Sequence, residues 1–176
     1  ARAPPGHTPE HLAWDIVPLD AVGASPVAIA TGGSLLVGSA GRTDLLGPAM
    51  TDELTAAQFR TLRSLAALPA SIRILPTHGS GSFCAPGPVE RGRTTSVGDE
   101  VARNLLLAPM DGDAFRATVL AGFGPYPTYY REMAPINRAG PAIRGAAPVP
   151  PTLDPAGGRA AVAAGAVIID PRVRAA

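Results

Sequence analysis

Three histidines are the chain's only imidazoles, and two of them stand in glycine- and proline-rich turns where a side chain can meet a ligand. His7 lies in Pro5-Gly6-His7-Thr8-Pro9-Glu10-His11, and His78 in Pro76-Thr77-His78-Gly79-Ser80-Gly81-Ser82. Between them Thr31-Gly32-Gly33-Ser34 leads into Gly41-Arg42-Thr43-Asp44. Neutral imidazole is the commonest metal ligand. Each turn adjoins a short β-like run, where a sheet delivers side chains to a common edge, so a metal site is the first expectation. The alternative for His7 is a ring that hydrogen-bonds the backbone of a tight turn. His11, at the start of a strand, is expected at the surface or in support of the other two.

Asp44 follows Arg42 by two residues, which predicts a local ion pair or a turn-fixing hydrogen bond. A metal role for this acid is the alternative. Cys84 reads either as a small apolar residue or as a thiol near the pocket. Tyr129, Tyr130, Arg131, Asn137 and Arg138 form a cluster that could hold the carboxylates of a thiol cofactor such as glutathione, with arginine forks for the acids. Packing of a proline-rich connector is the competing reading.

The elements that must position these groups follow from periodicity. Residues 12–17 alternate, with Leu12, Trp14 and Ile16 on one face, as in a half-buried strand. Residues 27–30 and 34–37 read as two more strands around the Thr31-Gly32-Gly33 turn. Thr51-Asp52-Glu53 offers a helix start, and Leu54, Ala57, Leu62, Leu65 and Leu68 follow at helical spacing until Pro69. Residues 72–75 form the next strand, running straight into His78. Ser96-Val97-Gly98-Asp99 resembles a capping box for a helix reaching about Leu107, and Asp113 opens another with Phe115, Val119 and Leu120. Residues 124–137 are expected to be irregular, 140–157 a linker, 158–166 a weak alanine-rich helix, and 167–172 a strand.

The chain has 176 residues, enough to bury a core, and a net charge of +1 from fifteen arginines, no lysine and fourteen acids. Scattered basic residues argue against nucleic-acid binding. No segment is long and apolar enough to span a bilayer, and none has the makeup of a signal peptide. A single cysteine excludes an internal disulfide and fits a reducing, cytoplasmic setting. The start and end of the chain read as those of a fragment.

Pro-Gly-His-Thr before a strand, Thr-Gly-x-x-Leu-x-x-Gly-x-x-Gly-Arg-x-Asp-Leu, and Pro-x-His-Gly-x-Gly-Ser resemble, in that order, the second half of the metallo-β-lactamase fold. The likeness is to the branch with glyoxalase II and the persulfide dioxygenases. It implies an α/β fold: the C-terminal half of an αββα sandwich over residues 1–139, with a helical extension. It also implies metal ligation by His7 and His78, with one ion, iron or zinc, in the full-length protein. The family's leading His-x-His-x-Asp-His motif has no counterpart here, and Gly33 stands where the family usually has a metal-binding aspartate. Residues 158–172, ending in Val-Ile-Ile-Asp-Pro-Arg, resemble the first helix and strand of a rhodanese domain, which implies that 158–176 begin such a domain in a sulfur-handling fusion. The expected function is persulfide dioxygenase-like, with the fragment inactive alone. The alternatives are a zinc-dependent thioester hydrolase of the hydroxyacylglutathione hydrolase type and a noncatalytic scaffold with a degraded site. The expected partners are a small thiol, persulfide or thioester and a second copy of the chain.

Overall fold

A computed structural model describes residues 1–21, 23–79, 84–85, 92–125, 127–140, 142–143, 145–146 and 149–169. The chain divides into two compact units, Ala1–Thr128 and Tyr129–Ala176.

In the first unit four strands form one sheet in sequence order: β1 (Trp14–Ile16), β2 (Ala28–Gly32), β3 (Arg73–Pro76) and β4 (Thr95–Ser96). The two inner strands are parallel, with Ile29 opposite Ile74 and Ala30 opposite Leu75, while β1 and β4 pair antiparallel at the edges. A parallel pair requires a long crossover, and α1 (Pro48–Ala66) supplies it. Then come α2 (Val97–Arg103), a 3₁₀ turn at Leu105–Leu107, and α3 (Gly112–Gly122).

The core lies between one face of the sheet and these helices: Ala13, Ile29 and Ile74 meet Leu62, Leu65, Val97, Leu106, Phe115 and Val119. Burying each large aliphatic or aromatic side chain contributes roughly 1.5–3 kcal/mol. Phe115 is fully buried, its ring centroid 5.2 Å from that of Phe59. One sheet backed by one helical layer is the half-sandwich expected from the sequence.

Alternation in residues 12–17 is present, but its face is the opposite of the one expected. Ala13 is the buried member, whereas Leu12, Trp14 and Ile16 are 52%, 58% and 42% exposed. The helices occupy Ala13's side of the sheet, so the large apolar residues of β1 look away from the core. Residues 34–37 are not a strand either. Leu35 and Leu36 are buried within a tight turn closed by a bridge between Leu36 and Ser39.

Helix boundaries moved for local reasons. α1 begins at Pro48, whose missing N–H is free of cost in a first turn. Thr51 lies inside the helix instead of capping it and donates its hydroxyl to Gly47 O at 3.0 Å. Ser96 does cap α2, accepting from Asp99 N–H. Asp111, rather than Asp113, caps α3 through Ala114 N–H at 2.8 Å.

The second unit contains α4 (Tyr130–Ala139) and α5 (Pro155–Ala163). α4 falls where irregular chain was expected. Pro135 removes one helical hydrogen bond, but Glu132, Met133, Arg138 and Ala139 favour helix and no glycine interrupts them. α5 starts three residues early because Asp154 caps it, accepting from Gly157 N–H at 2.7 Å. Residues 167–169 are exposed and form no strand; the rest of that expected strand lies outside the described residues.

Candidate functional site

The ends of β2 and β3 bring the turn motifs together as far as Gly79 in the third, whose Ser80-Gly81-Ser82 lies outside the described residues. Gly32 sits opposite Pro76, and Thr77 N–H donates to Gly32 O at 3.2 Å. Gly33 and His78 therefore leave adjacent strands at the same end of the sheet. His7 arrives from the turn ahead of β1 and places its ring between Gly33 and Gly41, whose backbones are joined by Gly41 N–H donating to Gly33 O at 2.8 Å. His11 lies against Gly32, and its ring is 5.9 Å from that of His7 at an interplanar angle of 76°.

Carbonyl partners fix the neutral tautomers, because a carbonyl can only accept. His7 Nδ1–H donates to Arg42 O at 2.8 Å, which leaves the lone pair on Nε2. His78 Nδ1–H donates to Gly79 O at 2.8 Å, with the same result. His11 is reversed: Nε2–H donates to Thr31 O at 3.0 Å, leaving Nδ1. Orientation of one ring nitrogen by a backbone carbonyl is the usual support of an imidazole ligand. Burial pushes the His7 pKa below 6.5 and outweighs the opposing effect of Arg42 O; His11 and His78 lower it further, so both lie within electrostatic reach.

Arg42 anchors this arrangement. Its guanidinium is buried, grips Asp44 through Nε and Nη2 at 2.6 and 2.8 Å, donates to Gly124 O at 3.0 Å and lies 4.9 Å from the centre of the Phe123 ring. The ion pair expected from the Arg42-Asp44 spacing is thus present. Arg42 N–H also donates to Cys84 O at 2.8 Å, so half-buried Cys84 joins the scaffold through its backbone. From α1, buried Gln58 donates to Ser34 O at 2.5 Å and packs directly on Gly6, tying two of the three motifs to one helix. Buried Glu100 accepts from Gly38 N–H at 3.0 Å and from Asn104 Nδ2 at 2.7 Å, holding the turn that leads to Gly41.

Sequence reasoning missed Gln58, Glu100 and the carbonyl of Arg42. A polar residue at an apolar helical position was the available signal for Gln58. A main-chain acceptor leaves none in residue type.

The described residues offer imidazole donors from His7 and His78 but no carboxylate at position 33. Among the described residues no group of three His, Cys, Asp or Glu side chains could hold an ion. The described residues therefore do not by themselves fit a metal centre. Asp44 is committed to Arg42 and does not replace the missing acid.

Of the predicted thiol-cofactor cluster, Tyr129 and Tyr130 stand side by side at the start of α4 with ring centroids 6.3 Å apart. Asn137 and Arg138 are exposed on the same helix, and the Arg131 side chain lies outside what is described. Among the described residues, no helix is long and apolar enough to cross a membrane.

No protein-family profile and no curated protein matches the chain. Solved structures do. A metallo-β-lactamase from Staphylococcus aureus subsp. aureus COL superposes with a TM-score of 0.65 at 26% identity, over 77% of this chain and 37% of its own. ETHE1 from Myxococcus xanthus superposes with a TM-score of 0.56 at 24% identity, over 78% of this chain and 51% of its own. The chain thus has the metallo-β-lactamase fold in part, spanning between about a third and a half of the structures it matches.

Proposed function

We propose that these residues belong to a sulfur-metabolism protein of the metallo-β-lactamase superfamily, persulfide dioxygenase-like and joined to a rhodanese-like segment after residue 157. In this reading the segment has no turnover alone. His7 and His78 contribute two neutral nitrogen donors to a single-metal site, iron or zinc, whose remaining donors come from beyond residues 1–176. The substrate class is a small thiol, persulfide or thioester.

The observation that carries the reading is the meeting of the three ordered motifs at one sheet end, with the His7 and His78 rings turned by carbonyls so that Nε2 is the free nitrogen on each. Support for the fold comes from the two structural matches. The test is oxygen uptake with glutathione persulfide by the longest native protein carrying residues 1–176, loaded with iron. Uptake that is lost in His7→Ala and in His78→Ala is expected. Hydrolysis of a glutathione thioester by the zinc form, without oxygen uptake, would replace the dioxygenase with the hydrolase.

A second reading, a noncatalytic scaffold, is favoured by Gly33, which supplies no side-chain donor. Absence of stoichiometric metal and of both activities in that longer protein would establish it.

A further inference from the structure

We infer that Thr55, Gln58 and Thr61 are positioning residues: a buried polar row on α1 that spaces the three loops of the histidine end and so sets where the His7 ring meets its carbonyl partner.

A helix packed on a sheet turns apolar side chains inward, and α1 does so with Leu54, Leu62 and Leu65. Beside them stand Thr55, Gln58 and Thr61, which are 1%, 0% and 6% exposed. A step of three residues advances about 4.5 Å along a helix, and each step here reaches a different loop. Thr55 Oγ1 gives its proton to Thr51 O at 2.7 Å, so at 2.6 Å it accepts from Thr43 Oγ1–H, one residue beyond Arg42. Gln58 Nε2 donates to Ser34 O at 2.5 Å, and Thr61 Oγ1 donates to Pro5 O at 2.8 Å. Gly6 rests on the helix itself, where a Cβ would stand 2.6 Å from Gln58 Cα.

The row therefore holds His7 from both sides. Thr61 and Gln58 fix the two residues ahead of it, while Thr55 fixes the residue after Arg42, whose carbonyl accepts from His7 Nδ1–H. Burying polar groups in a helix face already supplied with leucines is costly. Gln58 Oε1 adds to that cost, since it has no hydrogen-bond partner among the described residues. An apolar side chain of similar shape would avoid the cost, so what the amide contributes is its bond to the loop. That His7 is a metal donor rests on the function proposed above; where its ring lies does not.

Proton–nitrogen correlation spectra of the imidazoles in the full 176-residue chain at pH 8 test this. A free neutral histidine prefers its proton on Nε2, so an Nδ1–H form at His7 reports the bond to Arg42 O. The unmodified chain is expected to show that form. Thr61→Val and Gln58→Leu are expected to keep a cooperative melt and to move His7 toward the Nε2–H form, with the His78 signals unchanged. Thr61→Ser, which keeps the hydroxyl, should give the spectrum of the unmodified chain. If only one of Thr61→Val and Gln58→Leu folds, its spectrum decides. His7 signals unaltered in the folded variants would overturn the inference, even with an earlier melt, and so would a Thr61→Ser spectrum matching Thr61→Val. Loss of the cooperative melt in both Thr61→Val and Gln58→Leu would overturn it too, because the row would then be holding the whole fold and not the ring. These spectra decide the placement of His7 whether or not the longer protein is an enzyme.

Discussion

Arg42 and Asp44 should respond unequally to mutation, because the two leave different groups behind. The guanidinium is 2% exposed and the carboxylate 24%. Asp44→Ala removes two charge-assisted bonds, at 2.6 and 2.8 Å, from a cation in the interior. Breaking a fully buried pair from one side costs about 3–5 kcal/mol. Gly124 O and the Phe123 ring still face the guanidinium and Asp44 is partly solvated, which brings the expected loss to about 2–3 kcal/mol. Arg42→Met instead leaves a carboxylate that already reaches water and a Gly124 carbonyl on an exposed residue, while the new side chain keeps apolar contact with Phe123. That substitution should cost about 1 kcal/mol. Urea unfolding at pH 7, followed by far-ultraviolet circular dichroism, gives both values. An Arg42→Met loss equal to or greater than that of Asp44→Ala would refute the reasoning.

Other expectations concern pH, the core and the open sheet face. Because His7 in the folded state holds its proton less tightly than an unfolded histidine of pKa 6.5, the unfolded chain binds more protons between the lowered value and 6.5. Stability attributable to His7 is then fully present above that window and falls as the pH drops through it. Comparing urea midpoints of the parent chain and His7→Asn from pH 8 to pH 5 should show a weaker acid decline in the variant. Phe115→Ala should cost about 3–5 kcal/mol in the same assay, since the ring is fully buried against Phe59; a loss under 1 kcal/mol would contradict its place in the core. Leu12, Trp14 and Ile16 leave an apolar sheet face uncovered, so the isolated chain is expected to pair with a second copy. Sedimentation velocity should show association that Leu12→Thr/Ile16→Thr weakens.

Much of this fold was legible because its signals are local. The 54/57/62/65 spacing located α1, Ser96 and Asp99 announced α2, and the ordered turns gave the fold and the histidine end of the sheet. What was not legible depends on packing. The alternation of Leu12, Trp14 and Ile16 says that one face differs from the other, but not which side the helices will cover. Leu35 and Leu36 have strand-like residue types, yet a bridge four residues long buries them in a turn. The Arg42-Asp44 pair could be read from spacing, whereas the His7 contact with Arg42 O could not, because every residue has a carbonyl. Gly33 looked like a ligand lost, and only the position of the His7 ring shows that it is also a surface for packing.

The most direct measurement is a calorimetric titration of the unmodified 176-residue chain with zinc, followed by metal analysis after desalting. An incomplete centre, with two imidazole donors and no acid at position 33, predicts no saturable uptake and no stoichiometric ion retained, since a zinc site takes at least three protein ligands. One tightly held ion per chain would contradict it.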